Sequence, residues 1–152
     1  MNNRYNGHQG GFGGGHRPSL ADELNELERV KDVMTLKTTY VDEAYRIFRE
    51  QNPPITRTKL RSIYNMLLEA IADETDNHSD TLLTDTVMEL KMFRVRMVYD
   101  AGRDKSVKQF LQASSLLGFL KSIDTDKEKL SVYCKYFEAL VAYHRFMHPK
   151  DD

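Results

Sequence analysis

Leu130, Tyr133, Cys134, Phe137, Leu140 and Val141 recur three or four residues apart, a spacing that lines up side chains on one face of an α-helix but scatters them across both faces of a β-strand. The same period recurs along most of the chain. It marks Leu20, Leu24, Leu27 and Val30, then Val41, Ala44, Tyr45 and Phe48, then Leu60, Ile63, Leu67 and Ile71. Further on come Val87, Leu90, Met97, Val98 and Ala101, followed by Val107, Phe110, Leu111, Leu117 and Leu120. No segment sustains strand alternation between turn signals, so the chain reads as all-α, a compact bundle of about five to six helices.

The punctuation between these runs supports that division. Ser19 followed by Asp22 is a helix-capping signal, and Asn52, Pro53 and Pro54 stop the second run, because proline cannot continue a helix and pushes its predecessor out of the helical region. Thr56 or Thr58 is placed to cap the third helix. The polar run DETDNHSD at 73–80 reads as a solvated connection, since it lacks the glycine and terminal glutamate of a calcium loop. A fourth helix is expected from about Thr81 to Asp100, closed at Ala101-Gly102 by a left-handed glycine. The sixth starts near Thr125, where Thr-Asp-Lys-Glu reads as a capping box.

A chain of 152 residues holds one full domain but not two. Residues 1–18, MNNRYNGHQGGFGGGHRP, hold most of the eight glycines and too few apolar groups to offset their ordering entropy, which predicts a disordered tail ahead of a single helical domain at 19–152. The single cysteine, Cys134, has no internal partner and falls in an apolar helical pattern, as a small core residue in a reducing compartment would. No apolar run reaches the length of a membrane span, and no signal peptide opens the chain. A cytoplasmic protein without membrane contact is the expectation.

Catalysis finds little to rest on. Nucleophile-elbow, phosphate-loop and zinc-protease motifs are all missing from the sequence. His144 and His148 stand four apart, but no second pair of ligands accompanies them and Pro149 ends that helix, so they read as a surface or half-buried pair. His8 and His16 lie in the tail with no fixed backbone between them. The expectation is a non-enzyme with no metal and no cofactor.

Charge distribution is more informative than the net charge of -1. Residues 81–123 carry seven Lys and Arg against four Asp and Glu, and they include FRVRMVYDAGR at 93–103. Turning each residue of this helix 100° from the last puts Arg94 inside the apolar stripe, whereas Arg96 and, if the helix continues, Arg103 share an outward face with Tyr99. Local pairing, Arg96 with Asp100 and Arg103 with Asp104, is the structural alternative. Lys105 and Lys108 open the next helix, and Arg57, Lys59 and Arg61 crowd the first turns of the third. Cations at a helix N-terminus oppose the macrodipole, an arrangement that makes sense if an anion sits there.

Three ordered stretches, TKLRSIYNML at 58–67, FRVRMVYDAGRDKSVKQF at 93–110 and KYFEALVAYHRF at 135–146, resemble the small helical subunit of the type III-A CRISPR interference complex, the Csm complex. The resemblance spans roughly Pro54 to His148. It implies a non-catalytic subunit that binds the backbone of guide RNA and target RNA without sequence specificity. It also implies stacking with further copies of itself beside the backbone and large subunits of the effector complex. Among the cations it favours Lys59, Arg61, Arg94 and Arg103, while Arg96, Lys105, Lys108 and Arg57 rest on charge and place. A helical protein-interaction or scaffold module without nucleic-acid contact is the competing reading.

Overall fold

The computed structural model describes residues 18–29, 44–49, 51 and 53–149. The segment 1–17, Val30, Val41 and Asn52 lie outside the described residues, and with them the expectation of a disordered tail. Six α-helices are described: α1 (Leu20–Glu28), α2 (Arg57–Ala70), α3 (Thr84–Arg103), α4 (Lys105–Ser114), α5 (Leu116–Ile123) and α6 (Lys127–Met147). Two 3-10 helices, Ala44–Arg49 and Ala72–Asp76, complete them. The protein is all-α. Among the described residues the only β-type pairing is one isolated bridge, between Thr81 and Asp126.

The core forms where helical stripes converge. From α6 come Leu130, Tyr133, Tyr136, Phe137, Leu140 and His144, all buried. Phe137 meets Tyr64 of α2 with ring centroids 5.3 Å apart, and Phe119 of α5 meets the edge of Tyr136 at 5.8 Å. Leu116, Leu117, Gly118, Phe119, Leu120 and Ile123 of α5 are all buried, because its residues are apolar except Lys121 and Ser122, which alone turn to water. Each large side chain withdrawn from water in this way contributes about 1.5–3 kcal/mol.

Several boundaries depart from the sequence expectations, each for a local reason. The second run forms a 3-10 helix, Ala44–Arg49, with Ala44 and Phe48 buried. Leu20, expected on the inner face of α1, is 84% exposed, so that helix docks through Leu27 alone among its fully buried residues. Helix α3 does not close at Gly102; it runs to Arg103, with Asp104 in extended backbone (φ -135°) as its C-cap. The left-handed conformation occurs instead at Ser115, φ 57°, and it splits the expected fifth helix into α4 and α5. Two buried tyrosines hold that break: the Tyr136 hydroxyl donates to the Ser114 carbonyl at 2.8 Å and Tyr133 to that of Leu116 at 3.1 Å.

At the start of α6 the cap is Asp126, not Thr125; its carboxylate accepts from the backbone N–H groups of Glu128 and Lys129. The 73–80 connection is anchored rather than merely solvated. Lys127 Nζ donates to the carbonyls of Asn77 (2.6 Å) and Ser79 (2.7 Å), and Leu82 N–H donates to the Thr125 carbonyl at 3.0 Å. Of the two histidines expected at the surface or half-buried, His148 is half-buried but His144 is 1% exposed. Its Nε2 lies 2.6 Å from the Ile55 carbonyl oxygen, a bond that ties α6 to the segment entering α2.

Candidate nucleic-acid interface

Asp104 separates two helices and serves both. It ends α3 and caps α4, its Oδ1 accepting from the backbone N–H groups of Ser106 (2.9 Å) and Val107 (3.4 Å) and from the Ser106 hydroxyl at 2.6 Å. Its other oxygen forms an ion pair with Lys59 Nζ. The Lys59 ammonium, first among the causes, and the Ser106 bonds hold the Asp104 carboxyl well below the usual carboxylate range. The first turn of α2, capped by Thr56, is thereby fixed against the α3–α4 junction. The cation placed against the helix dipole therefore has its anion within the chain, where sequence reasoning had looked for an external one.

Around this junction the predicted cations fall into one band. A groove of about 380 Å³ is lined by Thr58, Lys59, Ser62, Asp100, Arg103 and Asp104. A larger one, about 960 Å³, lies between α1 and the α3–α4 junction, and Arg103, Lys105 and Lys108 stand on its wall with Leu20, Leu24 and Leu27 opposite. Arg103 borders both grooves. Arg61 continues the band on the other side, across Thr58 and Ser62. The Arg103 guanidinium sits 5.5 Å from the centroid of the Tyr99 ring and donates to its hydroxyl at 3.4 Å. That contact orients an exposed cation without neutralising it.

The remaining predicted residues lie elsewhere. Arg94 is half-buried, and its Nε donates to Glu28 Oε1 at 2.6 Å while Nη2 pairs with the same oxygen. The Glu28 side chain is 8% exposed, and Lys121 approaches its second oxygen at 3.6 Å. Arg94 thus joins α3 to the end of α1. Arg96 is exposed and makes no ion pair with a described residue, so the alternative of local pairing with Asp100 is not what the structure shows. Arg57 is half-buried at the start of α2.

As binding residues, sequence reasoning passed over Thr58 and Ser62, which line both the groove of Arg61 and that of Lys59, and Gln109 and Gln112, which line the larger groove with Lys108. The first pair had a signal, a four-residue spacing on one helix; the second had none, because only tertiary packing brings α1 opposite α4. Among the described residues no group of three or more His, Cys, Asp or Glu is arranged to hold a metal ion. Burial, with Glu138 second, pushes the Cys134 thiol up to about 11, so it stays protonated at neutral pH and makes a poor nucleophile. Chemically, the junction offers hydrogen-bonding cations to an extended anion.

Fold and junction together define a small all-α protein with a cation-rich helical seam. The chain belongs to the Csm2 type III-A family: the family described as "Csm2 Type III-A" matches residues 34–150. It is similar to "CRISPR system Cms protein Csm2" of Streptococcus thermophilus, 32% identical over 118 residues, covering 74% of this chain and 93% of the relative. The protein of that name from Mycobacterium tuberculosis (strain CDC 1551 / Oshkosh) is 32% identical over 97 residues, 64% of this chain and 78% of the relative. That of Enterococcus italicus is 35% identical over 96 residues, 60% and 67% of the two chains.

Proposed function

We propose that the chain is a non-catalytic, cytoplasmic small subunit of a type III-A CRISPR effector complex that follows the backbone of guide and target RNA without reading bases. Its partners in this reading are the two RNAs, the backbone and large subunits, and further copies of itself in a stacked filament. The observation that supports it most is the band in which Arg103 stands between Lys59 and Arg61 on one side and Lys105 and Lys108 on the other. Cations spaced along a groove suit phosphates, whose position is regular whatever the sequence. Base pairing between guide and target supplies sequence recognition in such machines, and the protein needs only to hold the duplex. Arg94 serves as a brace in this reading, and Arg96 and Arg57 are peripheral to the band.

Lys59 acts in two ways. Its ion pair with Asp104 sets the seam, and an exposed pair of this kind is worth little enough for a phosphate to share the ammonium. Binding of guide and target duplex to the assembled complex, measured across a salt series, tests the proposal. The expected result is a steep fall of log affinity with log salt, shallower by about 0.7–0.9 per lost contact in Arg103→Ala and Lys108→Ala. Salt-independent retention, or equal retention by all variants, overturns it.

A further inference from the structure

A cleft of about 350 Å³ opens between α3 and α5 and shares no lining residue with the grooves of the cation band. That volume lies at the lower end of the range, about 300–1,000 Å³, in which proteins hold small molecules. Val87, Leu90, Leu120 and Ile123 give it an apolar wall, with Val95 exposed beside them. Lys91, Arg94 and Lys121 also line it, and Asp124 is the one acid among the lining residues. Helical phase sets this cleft apart from the band. At 100° per residue Lys91 and Arg94 share one shoulder of α3, whereas its other charged residues, Asp85, Glu89, Arg96, Asp100 and Arg103, lie about 120–180° away. Lys121 is the one charged residue of α5.

We propose that the α3–α5 cleft binds a small monocarboxylic acid with a compact apolar body, its carboxylate held by Lys91 and Lys121. The charges favour one negative charge. Arg94 spends Nε and Nη2 on a single oxygen of Glu28, and Lys121 Nζ stands 3.6 Å from the second oxygen, too far for a hydrogen bond. Lys121 therefore keeps its donors, and Lys91 makes no ion pair with a described residue. Three cations against Glu28 and Asp124 leave one positive charge over, beside a wall that favours an apolar body. A phosphate monoester, with a charge of about -1.5 to -2 at neutral pH, exceeds that balance and meets Asp124 at the rim. Asp124 holds that place at a backbone cost. Its φ of 50° belongs to a tight turn closed by Asp126 N–H donating to the Ile123 carbonyl at 2.9 Å, where glycine is the easy residue. The strained aspartate thus sets a selective negative charge at the cleft. A carboxylate already lies between Arg94 and Lys121 in the form of Glu28, so these side chains suit that group. RNA binding is not required for this site.

Calorimetric titration of the full chain with 2-naphthoate, its neutral isostere 2-naphthamide and acetate tests the site. The expected result is a Kd for 2-naphthoate of about 1 mM or tighter, with the other two about tenfold weaker or worse. Lys91→Gln with Lys121→Gln weakens 2-naphthoate about tenfold or more, with helical content by circular dichroism unchanged. Val95→Glu does the same, since the new carboxylate pairs with Lys91 one turn away. Lys108→Gln, in the larger groove, leaves binding as it was. 2-Naphthyl phosphate binds more weakly than 2-naphthoate, and Asp124→Asn narrows that difference. Absence of 2-naphthoate binding, equal binding of 2-naphthamide, indifference to the paired Lys substitutions, or loss in Lys108→Gln overturns the site. A phosphate ester bound as tightly as the carboxylate overturns the choice of a monoanion. Guide and target duplex is expected to leave 2-naphthoate bound; displacement by the duplex assigns these cations to RNA and overturns the site. A chain that binds 2-naphthoate in this pattern but no duplex supports the cleft and refutes the RNA reading.

Discussion

At the scale of single residues, Asp104 and Arg94 show how charge is used differently within ten positions of one another. Asp104 caps α4 and pairs with Lys59. Its replacement by Ala is expected to cost about 1–2 kcal/mol, measured by urea denaturation, while Asp104→Ser keeps a capping oxygen and loses only the charge. Freed from Asp104, Lys59 should hold RNA more tightly in the Ser variant, with a salt dependence steeper than that of the parent chain. The pH dependence has a definite sign. The folded-state pKa of Asp104 is depressed by Lys59 and the Ser106 bonds, so its contribution is complete above the unfolded value of about 3.9 and is lost as pH falls below it. The stability gap between the parent and Asp104→Ser should therefore narrow below about pH 4. Arg94→Ala leaves the Glu28 carboxylate, 8% exposed, with only the distant Lys121. A loss of about 2 kcal/mol is expected, less than for a fully buried pair because Arg94 itself is partly solvated, with RNA affinity unchanged once the variant is folded.

At the scale of elements, the breaks between helices matter more than the helices. Gly102 lies inside α3 with negative φ, and a Cβ built there meets nothing within 4 Å. Gly102→Ala should thus raise stability by about 0.5–1 kcal/mol, readable as a higher denaturation midpoint with unchanged slope. At the other break, Tyr136→Phe removes the donor to the Ser114 carbonyl, where the chain enters the left-handed residue Ser115. The carbonyl is left buried and less well satisfied, at a cost of about 1–2 kcal/mol, and hydrogen exchange in α5 should speed up before that in α2. Both breaks were misread for the same reason. A glycine suggests a helix end, but its freedom goes unused when a neighbouring aspartate closes one helix and caps the next. A serine gives no warning of a left-handed turn that two distant tyrosines stabilise.

At the scale of the whole molecule, α6 and α5 form the centre and the α2–α3–α4 seam presents the cations, so the surface proposed for RNA is carried by the rigid core. In an assembly with several copies per RNA, each short band adds to the others by effective concentration. Arg103→Ala should weaken target retention by the full complex far more than binding by the isolated chain, compared in one salt series. Helical class, the inner faces of α2, α3 and α6 and the separation of Arg94 from Arg96 and Arg103 were all legible in the amino-acid order, because helical period is a local property that fixes which side each residue takes. That order also held the resemblance that points to the Csm2 family. Tertiary structure alone decided that Lys59 meets Asp104, that Arg94 meets Glu28, that His144 is buried against Ile55 and that α1 walls the groove beside Lys108. Each of those contacts joins segments far apart in the chain, and no local pattern encodes which distant charge or carbonyl will lie across a packed interface.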